Sequence, residues 1–122
     1  MGPVYDKELV GPYHLNAIDV DDDMAICWST PSGDCVGDGL PGPTVFAAGY
    51  DDKYVVAAVH PRNFPDPSDR AVTRYYYVIR SPDENRTLPY AGIKGPFDEA
   101  TFNAKKARLH LPQFSKVFDD LK

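Results

Sequence analysis

The stretch that most limits what this chain can become is Thr44 to Val59, TVFAAGYDDKYVVAAV. Two apolar runs rich in β-branched and aromatic residues flank a polar tip at Asp51-Asp52, which reads as a β-hairpin. On the first arm Val45, Ala47 and Gly49 alternate with Phe46, Ala48 and Tyr50. On the second, Tyr54, Val56 and Ala58 alternate with Val55, Ala57 and Val59. Both faces are apolar, so the pair is expected inside the molecule, covered on two sides. The small residues mid-arm imply something bulky packed across them.

The segments on either side read as further strands. Tyr13 to Asp19 alternates, with Tyr13, Leu15 and Ala17 on one face. An acidic turn (Val20 to Asp23) follows, and then Met24 to Ser29 carries the only tryptophan. Thr30 to Pro43 is a connecting loop on its Gly, Pro, Ser and Asp content. Arg62 to Arg70 is a Pro-rich loop, Val72 to Arg80 is an aromatic and β-branched strand, and Tyr90 to Ile93 adds a short edge strand. Asp98 reads as a helix N-cap, with Phe97 and Phe102 forming a hydrophobic staple and the helix running to about His110. Phe114, Val117, Phe118 and Leu121 at i, i+3, i+4 and i+7 predict a second short helix behind Pro112. The expected fold is α+β: an antiparallel meander sheet of about five strands with one or two C-terminal helices packed on it. Residues 1–12 read as an N-terminal tether and 13–122 as a single domain.

Charge narrows the partners. The net charge of -5 leaves no basic footprint for nucleic acid or anionic lipid. No apolar run reaches the ~18 residues a membrane-spanning helix needs. The start, MGPVYDKELVGPY, has neither a basic n-region nor an apolar h-region, and Met1-Gly2 reads as an addition to a trimmed mature domain. Cys27 ends an apolar run and Cys35 follows in the Gly-rich loop, so a chain reversal between them brings the two within reach of a disulfide. That bond implies an oxidising compartment, whereas free thiols imply a reducing cytosol.

In a simple meander the turns at Asp19 to Asp23, Asp51-Asp52 and Asp83-Glu84 lie at one end of the sheet. This gives an acidic pole able to steer a cationic partner. The candidate binding residues are therefore Asp21, Asp22, Asp23, Asp51 and Asp52, with Tyr50 and Tyr54 as aromatic anchors. The plainer alternative is that hairpin tips are Asp-rich because Asp suits turns. Asp19, Asp21 and Asp23 match the opening of a calcium loop, but Met24 stands where Gly is needed and Thr30 where a bidentate Glu is needed. No metal or cofactor is expected. His14, His60 and His110 sit in no local catalytic signature, and no catalytic residue is assigned.

GPYHLNAIDVDDDMAICW, TVFAAGYDDKYVVAAVHP, RYYYVIR and GPFDEATFNAKKARLHL together resemble small bacterial lipoproteins of uncharacterised type. The resemblance implies a periplasmic domain, lipid-anchored in its precursor, and an immunity protein that blocks a secreted antibacterial toxin. Two other classes stay open: a small hydrolase or calcium-dependent module, and a cytosolic anti-defence inhibitor.

Overall fold

The computed structural model describes residues 3–30, 32–37, 39–80 and 92–122. The expected turn at Ser81 to Leu88 and the start of the expected strand at Tyr90 lie outside them. The elements in order are β1 (Tyr5–Val10), β2 (Tyr13–Ala17), a 3-10 turn at Asp21–Asp23, β3 (Ala25–Ser29), β4 (Cys35–Val36), β5 (Val45–Tyr50), β6 (Tyr54–Val59), β7 (Arg74–Ile79), β8 (Ile93–Phe97), α1 (Glu99–Leu109) and β9 (Lys116–Val117). The protein is α+β: among the described residues strands dominate, with one α-helix near the C-terminus.

The strands form two antiparallel sheets, not one meander. The first runs β1-β2-β3-β4 and the second β8-β7-β6-β5-β9. Local alternation cannot distinguish these arrangements, because the predicted strands are nearly the same in both. What separates them is the stretch expected to be one loop from Thr30 to Pro43: it holds β4 of the first sheet, and the chain crosses to the second sheet between β4 and β5. At the crossing the Val45 amide donates to the Met24 carbonyl (2.8 Å) and the Ile26 amide to the Pro41 carbonyl (3.0 Å). Thr44, fully buried, donates its hydroxyl to the Asp22 carbonyl.

One core joins the sheets. Tyr13, Leu15, Ala17, Ile26 and Trp28 from the first meet Val45, Val55, Ala57, Val59 and Val78 from the second. The opposite face of the second sheet buries Val56 and Tyr77 against Phe102 of α1 and Leu111 beyond it. β6 is thus covered on both sides, as its two apolar faces require. A bulge at Phe46 shifts the register between Val45 and Ala47, so that Val45 and Ala48 both reach the inter-sheet core.

Two local expectations differ from the structure for the same reason, the open edge of a strand. The stretch expected to be a second helix is extended. β9 pairs with Ala47 and Ala48, the Ser115 amide donates to the Ala48 carbonyl (2.9 Å), and the Phe118 amide donates to the Phe46 carbonyl (2.8 Å). Unpaired backbone groups on β5 need partners, and this segment supplies them. Three of its four apolar residues find cover without a helix: half-buried Phe114 joins the helix-side cluster, and half-buried Phe118 and buried Leu121 join the inter-sheet core, while Val117 stays exposed. Likewise Tyr5–Val10, read as part of a tether, is a strand in register with β2. Asp6, Lys7 and Glu8 are exposed on it, a charge pattern that suits a sheet edge but hides strand periodicity.

The helix start follows the sequence. The Asp98 carboxylate accepts from the Thr101 amide at 2.8 Å, a contact that holds its carboxyl below the usual range. His110 closes the helix in the left-handed region, at φ 56°.

Cys27 and Cys35 are bonded, their Cα atoms 5.3 Å apart, tying β3 to the two-residue strand β4. Closing a loop this small is expected to contribute about 2.5 kcal/mol through the unfolded chain. Reduction, or paired replacement by serine, should lower the urea midpoint accordingly. An unchanged midpoint would mean that β3–β4 pairing holds without the bond.

Candidate functional site

The structure separates the carboxylates that the sequence places together. Asp22 and Asp23 adjoin the beginning of β5, through Thr44, while Asp51 and Asp52 form the turn beyond its end. Val45 and Asp51 are six residues apart along an extended strand, roughly 20 Å. The single acidic pole therefore does not form from these turns, and Asp83-Glu84 lies outside the described residues. The reason is the two-sheet arrangement, which joins the acidic turn of the first sheet to the opposite end of the hairpin.

At the Asp51 tip, the Asp51 carboxylate accepts from the Lys53 amide (2.8 Å) and the Tyr54 amide (2.7 Å), shaping the turn itself. Tyr54 packs edge-on against Tyr77 in the helix-side cluster. Tyr50 is exposed at 46%. Trp28 and Tyr77 are buried, and Tyr75 and Tyr76 pack against the two clusters, so these rings are taken up by the layers.

The other pole is more closely built. Asp23 accepts from the amides of Asp19 (3.0 Å) and Val20 (3.2 Å), and its second oxygen pairs with the Arg62 guanidinium, whose side chain is 6% exposed. Burial pushes the Asp23 carboxyl up. The two amides and the guanidinium outweigh that and hold it below its ordinary value. Asp22 accepts from the Ser68 amide (3.0 Å). Arg62 also donates through Nε to the Asp66 carbonyl (2.9 Å) and lies 5.5 Å from the centroid of the Phe64 ring.

The turn at Asp19 to Asp23 and the loop from Pro61 to Val72 are thus one bonded unit. Phe64 and the loop's pairing with Asp22 and Asp23 were not legible in the sequence. The proline-rich composition marked a loop but said nothing of what it docks on. The outward side chains of this unit are Ile18 (64% exposed), Val20 (49%) and Phe64 (78%), together with exposed Asp19, Asp21, Asp66 and Asp69. Beside them Pro61, Arg62, Asn63, Asp66, Pro67, Asp69 and Arg74 line an open concavity of about 410 Å³.

Because the Asp23 carboxyl is depressed in the folded protein, its contribution is complete above the unfolded value of about 3.9 and is lost as pH falls through the folded value. Asp23→Asn should cost about 2–3 kcal/mol at pH 7, since it weakens a largely buried pair and two hydrogen bonds from backbone amides. The difference from wild type should begin to narrow below about pH 4, where the unfolded chain takes up the proton, and close as the folded carboxyl is protonated at lower pH. Denaturant melts at pH 7 and pH 3 check this; a constant difference would assign the cost to packing alone.

His60 is buried at 4%. Its Nδ1 donates to the Val72 carbonyl (2.8 Å), and its ring stacks on Phe46 at 4.1 Å between centroids. His14 pairs with Asp6 across β1 and β2 at 3.0 Å, and His110 caps α1. Among the described residues no three His, Cys, Asp or Glu side chains converge at metal-binding spacing. None of their helices is long and apolar enough to cross a membrane. Comparison with protein-family models, curated proteins and solved structures found no match to this chain.

Proposed function

We propose that this chain is a non-enzymatic binding protein of the immunity type, acting in the periplasm by covering the active site of a secreted antibacterial toxin. The observation that carries this reading is the bonded unit of acidic turn and proline-rich loop. Its internal contacts use Asp22, Asp23 and Arg62 to fix the backbone, leaving Asp19, Asp21, Ile18, Val20 and Phe64 at the surface. Apolar side chains set among like charges on an ordered surface suit a protein partner of opposite charge. The Cys27–Cys35 bond supports an oxidising compartment.

Within this reading the two acidic tips separate. Asp21 is exposed beside the apolar side chains, whereas Asp51 and Asp52 stand at the far end of β5 with Tyr50 and Tyr54. The test is protection. Cells that export the chain to the periplasm should survive export of the secreted protein encoded beside it. Asp21→Lys should abolish survival, and Asp52→Lys should leave it intact. Killing that is the same with and without the chain removes the reading, and loss of protection by Asp52→Lys alone moves the interface to the other tip.

A further inference from the structure

Phe64 is the most exposed large apolar side chain among the described residues, at 78%, yet it sits on a firmly tied loop. The Asp66 amide donates to the Asn63 carbonyl (2.9 Å), the Asp69 amide to the Pro61 carbonyl (2.8 Å) and the Ser68 amide to the Asp22 carboxylate (3.0 Å). Arg62, beneath the ring, is held by Asp23 and by the Asp66 carbonyl. An exposed aromatic of this size gains little for folding where it stands beyond its contact with the Arg62 guanidinium. Its loop, however, has already lost the conformational freedom that binding would otherwise have to remove.

The charge around it has one sign in excess. The two segments carry Asp19, Asp21, Asp22, Asp23, Asp66 and Asp69 against Arg62 and Arg70, with Arg74 lining the concavity. Of these arginines, Arg62 is paired with Asp23 and Arg70 donates to the Asp120 carbonyl. The field outside the ring is therefore negative, which favours a cationic surface.

We propose that Phe64 is the anchor of the interface, entering an apolar pocket on a protein partner whose rim carries lysine or arginine. This deepens the immunity reading and rests on the chain being a protein-binding inhibitor. Aromatic side chains seated centrally in a desolvated pocket dominate such interfaces, with polar groups around them excluding water. Val20 and Ile18 would extend the apolar contact, and Asp21 and Asp66 would meet the rim.

The experiment places a photo-crosslinking phenylalanine derivative at position 64, and separately at position 50 on the other pole, in the full chain. Each is irradiated with the secreted proteins of the cells that make it, and the crosslinked peptide is sequenced. A crosslink from position 64 to an apolar segment flanked by Lys or Arg is expected. Phe64→Ala should then weaken affinity for that purified protein about 30-fold or more, with Phe64→Leu falling between. Both side chains are outside the core, so folding is not at stake. Crosslinking from position 50 alone, or an affinity unmoved by Phe64→Ala, overturns the anchor while leaving a protein-binding chain. Crosslinks from neither position overturn the anchor and the inhibitor reading together.

Discussion

Gly49→Ala is expected to detach the C-terminal strand from the second sheet and to destabilise the protein by about 3 kcal/mol or more. A methyl group at this position would stand 2.0 Å from the Gln113 carbonyl oxygen and 3.1 Å from the Phe114 Cα. Both are backbone atoms, so no side-chain rotation relieves the clash. Either β5 or the segment that runs along it has to move. Moving the segment breaks the hydrogen bonds donated by the Ser115 and Phe118 amides and draws Phe118 and Leu121 out of the inter-sheet core. Leu121 is 3% exposed, and re-exposing a side chain of this kind costs about 1.5–3 kcal/mol by itself. Urea unfolding gives the loss, and hydrogen exchange at Ser115 and Phe118 shows where it falls. Wild-type protection at those two amides would show that β5 gives way instead.

The second large effect is expected at Phe102. It is 2% exposed and is the only buried residue of α1, stacked on Tyr75 at 4.9 Å and on Phe114 at 6.1 Å between centroids. A helix of this length is marginal by itself in water, so its position depends chiefly on this buried ring and on the Asp98 cap, with Leu109 adding to the same cluster. Phe102→Ala should cost about 3–4 kcal/mol, combining lost transfer energy with the cavity left behind. Phe102→Leu should cost less. Tyr75 offers an independent readout, because burial first, and the Glu99 charge second, push its phenol above its ordinary value. Opening the cluster should bring the Tyr75 titration back toward that value, followed by ultraviolet absorbance. A Tyr75 titration unaffected by Phe102→Ala would mean that α1 stays docked without its anchor.

The contrast between Phe102 and Phe114 shows where reading the sequence works. For the helix that carries Phe102 the deciding group lies within a few residues: the Asp98 carboxylate accepts from the Thr101 amide and caps the first turn. Local spacing is then enough. For Phe114, Val117, Phe118 and Leu121 the helical spacing is real but is not used. An extended segment followed by a turn buries three of them equally well, and the deciding partner is the open edge of β5, far away in sequence. Charged Tyr5–Val10 is the converse case. Its polar side chains point to solvent, and its strand character comes from backbone pairing with β2. No periodicity reports that.

The candidate site divides along the same line. Cys27 and Cys35 were legible because a short loop limits where they can go. The carboxylates at Asp21 to Asp23 and at Asp51-Asp52 were legible as turn residues. Whether they meet depends on how two sheets are joined, and the joint runs through Thr44 and the Asp22 carbonyl. Phe64 carries no sequence signal at all, since a phenylalanine in a proline-rich loop is equally consistent with a buried plug.

What residues alone determined here is whatever their near neighbours settle: the hairpin around Asp51, the β7 strand, the capped helix and the disulfide. Hydrogen bonding and side-chain alternation act over a few residues, so the type and position of these elements are readable locally, although their stability comes from packing. The tertiary structure decided the division into two sheets, the capture of the C-terminal segment by β5 and the separation of the two acidic tips. Each of these is a choice among partners for unpaired backbone and apolar faces. That choice is made by burial summed over the whole chain, not by any one stretch of it.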